Sequence, residues 1–204
     1  TPFKQKKCFY YNQKINLLKA EGSFSLGEDK YTLEPNSLGV LDWGRGVWSY
    51  KNTWYWASLN SFYKGHRIGF NLGYGFGDTS NASENMLFYD DKAYKLNDVK
   101  FIIPKVNKDE LFLNPWNIVS ESKDIDLVFV PILDRHSDTN ALIIESNQHQ
   151  VFGHFAGYIT VNGEKAVNRD DLVRVVTLRP NPDWPRTKPR GGNGKGTVDR
   201  ITIE

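Results

Sequence analysis

The chain has 204 residues, 26 Lys or Arg against 24 Asp or Glu, and 14% aromatic side chains (6 Trp, 10 Tyr, 12 Phe) beside one Met and one Cys. A body of this size can bury roughly 70% of the surface its unfolded chain exposes, and so many aromatics suit pleated sheet. The lone Cys8 excludes an internal disulfide and points to a reducing, cytoplasmic compartment; no apolar run nears the ~20 residues of a membrane span, and residues 1–7 lack the apolar stretch of a signal peptide.

Residues 20–26 and 30–33, around Gly27-Glu28-Asp29, read as a short hairpin. Residues 42–48 are punctuated by glycine and read as a loop or bent strand. The strongest signal follows, in 53–62 and 67–74, which flank Tyr63-Lys64-Gly65-His66. The second of these alternates Ile68, Phe70, Leu72 and Tyr74 with Gly69, Asn71, Gly73 and Gly75. Glycine at every second position weakens a strand, so the pattern predicts tight curvature or something packed closely on the bare face.

Further strands are expected over 85–89 and 92–96, joined by Asp90-Asp91, then over 99–103, 125–133, 141–146 and 151–161. Asn162-Gly163 suits a type I′ turn into 164–167. Asn168 suits the cap of one short helix over 169–176. The last segment, 177–204, is rich in Pro and Gly and carries six Lys or Arg against three Asp or Glu, a net +3 that leaves the remaining body at −1. It reads as a disordered basic tail, and the body lacks the clustered basic footprint of a nucleic-acid surface. The fold class is therefore mainly β: an antiparallel curved sheet or barrel over 1–176, with one short C-terminal helix.

Several words are long enough to carry a family resemblance: Leu41-Asp42-Trp43-Gly44-Arg45-Gly46-Val47-Trp48, Tyr50-Lys51-Asn52-Thr53-Trp54-Tyr55-Trp56, residues 69–80, Glu84-Asn85-Met86-Leu87-Phe88-Tyr89, Pro131-Ile132-Leu133-Asp134-Arg135 and residues 147–153. Together they resemble the domain of unknown function family 2804 from about Cys8 to Val176. The resemblance implies that this chain corresponds to the family's carboxy-terminal part. It also implies a remote similarity to lipocalin-like hydratases and cyclases, which hold apolar molecules within β modules. The segment after Asp171 departs from the family's aromatic-containing end, and no function is assigned to it.

Candidate chemistry lies among the charged residues interspersed with these aromatics. Asp42 and Arg45 stand three apart beside Trp43 and Trp48, a pairing that suits either a ligand-orienting acid or a structural bridge. Trp54 and Trp56 share a strand face and read as a cavity wall, a stacking surface for a sugar, or core. Asn71 shares the glycine face; with Glu84 and Asp134 it supplies polar handles, should that face line a lumen, and Tyr74 and Asn85 are further candidate ligand contacts. His149 and His154 are five apart, which places them on opposite faces of a regular strand and argues against a shared zinc. No phosphate loop, dinucleotide fingerprint or nucleophile elbow is present, so no cofactor is expected.

The functional expectation is an aromatic hollow for a small apolar or amphiphilic molecule. Any catalysis there would be metal-free acid–base hydration, isomerisation or cyclisation by Asp42, Glu84 or Asp134, with Arg45 or Asn71 steadying charge. The alternatives are a non-enzymatic lipid carrier or structural module, and a carbohydrate-binding module.

Overall fold

The structure, a computed structural model, describes residues 1–63, 65–80, 82–141, 144–160, 173–175 and 195–203. It is built from antiparallel strands. A ribbon of β1 (Phe9–Lys19) and β4 (Leu38–Val47) is joined through the hairpin β2 (Ser23–Leu26) and β3 (Asp29–Thr32). Next come β5 (Asn52–Tyr63), β6 (His66–Tyr74), β7 (Met86–Tyr89), β8 (Lys92–Lys95) and β9 (Lys100–Ile102). After the small hairpin β10 (Lys105–Val106) and β11 (Asp109–Glu110) run β12 (Trp116–Val119), β13 (Ile125–Ala141), β14 (Ile144–Ile159), β15 (Val173–Val175) and β16 (Lys195–Ile203).

The large sheet is ordered β8-β7-β6-β5-β16-β14-β13-β12-β9, with β15 also on β14. It is open, and this corrects the barrel alternative: the edge strands β8 and β9 do not pair. The reason lies in how β9 is held. Phe101 packs its ring against Tyr55 (6.1 Å) and Tyr74 (5.5 Å), and its N–H donates to the Tyr74 hydroxyl at 3.4 Å. So β9 lies across the face of β5 and β6 rather than beside β8.

The two ends of the sheet thus face each other over a filled core. Phe70 of β6 meets Phe155 of β14 at 5.0 Å, Phe155 meets Phe129 at 4.8 Å, and Phe129 meets Trp116 at 5.5 Å. Leu72, Leu87, Ile118, Leu127 and Ile159 complete it, all buried. Side chains fill the space between the two ends of the sheet, so the bend encloses no lumen there.

Alternation along β5 and β6 decides what lies where. Ala57 and Leu59, with Ile68, Phe70 and Leu72, face the core; Trp54, Trp56, Gly69, Asn71 and Gly73 face away from it. That second face is covered by β1. A Cβ on Gly69 would lie 3.0 Å from Leu17 Cδ2, and one on Gly73 would lie 2.8 Å from Glu84 Oε1. The bare glycine face thus has the close-packed neighbour expected of it. Asn16 pins the ribbon down, its Nδ2 reaching Ser58 Oγ (3.2 Å) and the carbonyls of Leu59 (3.3 Å) and Phe70 (3.2 Å), while Leu17 N donates to Asn60 Oδ1 at 2.8 Å.

The strands expected at 141–146 and 151–161 are one continuous β14, paired along β13 through a bulge between Pro131 and Leu133. The turn at Asn162-Gly163 and the strand at 164–167 lie outside the described residues. So does most of the helix expected over 169–176, within which Val173–Val175 forms a strand on β14. Lys195–Ile203, in the segment read as a tail, runs as a strand between β14 and β5.

Candidate functional site

The ribbon does not lie flat on β5 and β6; one end stands off and leaves a cleft of about 320 Å³. Its wall is aromatic. Phe76, just past β6, is the hub: Tyr10 meets it at 4.5 Å, Trp54 at 4.8 Å and Trp48 at 6.3 Å. Tyr10 has room for this position because β4 carries no side chain beneath it, and a Cβ on Gly44 would lie 2.5 Å from the Tyr10 ring. Ser49 and Asn52 add polar edges.

The other end of the cleft is charged. Lys14 of β1 places its Nζ 2.6 Å from Asp42 Oδ2, 3.6 Å from Glu84 Oε2 and 5.1 Å from the centre of the Trp56 ring. Asn12 Nδ2 donates to Glu84 Oε2 at 2.5 Å. Behind them sits Asn71, fully buried, whose Oδ1 accepts from Trp56 Nε1 at 2.7 Å and whose Nδ2 donates to the Glu84 carbonyl at 3.0 Å. One amide therefore fixes both a wall and the carboxylate beside it.

Burial raises the Glu84 carboxyl above its ordinary range; the Lys14 ammonium pulls it back and the Asp42 charge adds to the rise. Tyr10 is pushed up to about 12 by burial and by the charges of Asp42 and Glu84. Glu84 thus keeps its proton when folded at pH values where the unfolded carboxyl has lost it. Its contribution to stability is complete below about 4.5 and is lost as pH rises through the raised folded value. Glu84→Gln, which does not ionise, should gain on the wild type as pH rises from about 4 to about 8 in urea titrations. A difference that stays flat over that range would contradict the assignment.

Among the residues singled out from sequence, Asp42, Trp48, Trp54, Trp56 and Glu84 come together in this cleft, with Asn71 directly behind. The others do not join them. Asp42 and Arg45 are not a pair: in the extended strand β4 they fall on opposite faces, Asp42 toward Lys14 and Arg45 over the outward Trp43 ring at 6.0 Å. Tyr74 faces the core, stacked on Tyr55 at 5.0 Å. Asn85 is buried and structural, accepting from Gly73 N at 2.7 Å and donating to the Asn97 carbonyl at 3.0 Å. Asp134 lies on β13 with its Oδ2 2.8 Å from His149 Nδ1, the imidazole being stacked between Phe112 (3.7 Å) and His136 (4.2 Å).

Sequence reasoning missed Tyr10, Asn12, Lys14 and Phe76. The signal for the first three is an alternation of polar residues, Tyr10, Asn12, Lys14 and Asn16, in which the less exposed face is the hydrophilic one.

A family model described as Domain of unknown function (DUF2804) matches residues 1–176. No curated protein and no solved structure matches the chain.

Proposed function

Since the chain belongs to the DUF2804 family, whose description assigns no activity, we propose its function from the cleft: it binds a small uncharged amphiphilic molecule. The apolar body of the ligand lies against Tyr10, Trp48, Trp54 and Phe76, and its polar end meets Lys14, Asp42 and Glu84. One observation carries this reading: aromatic walls and a lysine bridged between two carboxylates close on a single hollow of about 320 Å³. Lys14 occupies the position between the acids, so a cationic ligand would have to displace it and an anionic one would face two carboxylates.

The chemistry such a site supplies is proton transfer. Glu84, held toward its protonated form, donates to a ligand oxygen or double bond; Asp42, on the other side of the ammonium, receives a proton; Lys14 steadies negative charge as it develops. Hydration, isomerisation and cyclisation all fit this set, and side chains alone carry it.

Titration with 1-decanol should change tryptophan emission and saturate at one site, while cellobiose leaves the emission unchanged. Trp54→Ala should weaken decanol binding about ten-fold. An identical decanol response in Trp54→Ala defeats the assignment to this cleft, and a response to cellobiose instead of decanol replaces the amphiphile with a sugar.

A further inference from the structure

The end of the ribbon nearest the cleft carries a second pattern. Residues 1–13 and 43–53 contain Lys4, Lys6, Lys7, Arg45 and Lys51, and neither segment contains Asp or Glu. The fold brings the two together. The Thr1 amino group donates to the Tyr10 carbonyl at 2.8 Å, Phe3 N donates to Cys8 O at 3.2 Å, and Phe9 stands opposite Val47 in the ladder. All five cations are exposed. Interspersed with them, Phe9, Tyr11, Trp43, Val47, Trp48 and Tyr50 are exposed too, Tyr50 to 68%. Asp78 lies at the margin, its N–H on the Pro2 carbonyl, and its carboxylate is engaged by Ser80 N.

Exposed apolar groups clustered in this way usually mark an interaction surface. Tryptophan and tyrosine interspersed with lysine and arginine suit the headgroup layer of a bilayer, where rings sit between water and acyl chains and cations meet lipid phosphates. The same charges could attract nucleic acid, but base stacking needs an open ring face. Tyr11 packs edge-on against Trp43 at 6.0 Å, and the Arg45 guanidinium lies over the Trp43 ring. The aliphatic Val47 likewise offers nothing to a base.

We infer that this face docks the protein on an anionic membrane surface, with Lys4, Lys6, Lys7 and Arg45 on lipid phosphates and the neighbouring rings at headgroup depth. Trp48 is exposed and also lines the cleft, so this ring belongs to both features. The inference stands on the surface and does not require the cleft to be occupied.

Co-sedimentation of the full chain with vesicles tests it. Binding is expected to phosphatidylcholine vesicles holding about 30% phosphatidylglycerol, with release by salt, and not to pure phosphatidylcholine. Lys4→Glu/Lys6→Glu/Lys7→Glu should lower partitioning about a hundred-fold, and Trp43→Ser should lower it with the charges intact. Wild-type protein left in the supernatant with anionic vesicles overturns the inference. So does a triple variant that sediments like wild type, or binding to polyuridylate in place of the vesicles.

Discussion

Lys14→Met should lower the unfolding free energy at neutral pH by about 2–4 kcal/mol, and adding Glu84→Gln should recover much of that loss. The methionine keeps the length and the packing against Trp56 but removes the only cation within salt-bridge distance of Asp42 and Glu84 among the described residues. Without the ammonium the Glu84 carboxyl is pushed further toward its protonated form, and whatever charge it and Asp42 keep has no counter-charge at this partly enclosed end of the cleft. Asp42 keeps 37% of its side chain in solvent and softens the effect, whereas Glu84 keeps 24% and carries most of it. In the double variant the second acid is neutral, and Asn12 still has an oxygen to which it donates. Urea titrations of wild type, both single variants and the double variant give the coupling directly. Strict additivity of Lys14→Met and Glu84→Gln would mean that the ammonium does not hold the acid, and the proton-transfer reading would fall with it.

How much of this was legible in the sequence follows from which way each strand turns its polar side. The hairpin of β5 and β6 was plain, with boundaries within a residue, because its core face is apolar and its other face is not. The same rule explains why Asn71 could be placed on the glycine face and Trp54 beside Trp56. It failed for β1 and β4. Their cleft-facing sides carry Tyr10, Asn12 and Lys14, or Asp42 and Gly44, while Phe9, Tyr11, Trp43 and Val47 look outward. A search for apolar inside and polar outside cannot see such a ribbon, since what it covers is a charged cleft.

Two further misses have the same character. The Asp42 and Arg45 pairing assumed a loop or a bent strand, and regular extended backbone separates residues three apart onto opposite faces. The lumen assumed that the glycine face turns to the inside of the bend, whereas the Ile68, Phe70 and Leu72 face does so and packs there against Phe129, Phe155 and Trp116. The hollow instead lies on the outer face of β5 and β6, under a ribbon that sequence pattern did not draw. The basic face was hidden for another reason: its cations come from two segments about forty positions apart, and a regional charge count of −1 for the body averages them away.

Asn71→Leu should be the most damaging change that touches no charge and leaves the apolar volume nearly constant. Leucine has the same branched four-atom side chain, so no cavity arises, but its methyls need more room than the amide and add some overpacking. What is lost is the amide that satisfies Trp56 Nε1 at 2.7 Å and the Glu84 carbonyl at 3.0 Å. Each buried group left without a partner costs about 1–3 kcal/mol, giving a fall of about 3 kcal/mol once the partial exposure of Trp56 is allowed for. Because the same amide fixes a wall and an acid of the cleft, decanol affinity should fall with stability, although Asn71 does not line the hollow. Trp56→Phe separates the two effects: it removes the indole donor, so Asn71→Leu made in that background should cost less by about 1–2 kcal/mol. If Asn71→Leu costs the same with and without the indole, the amide does not hold Trp56, and the cleft wall must be fixed by packing alone.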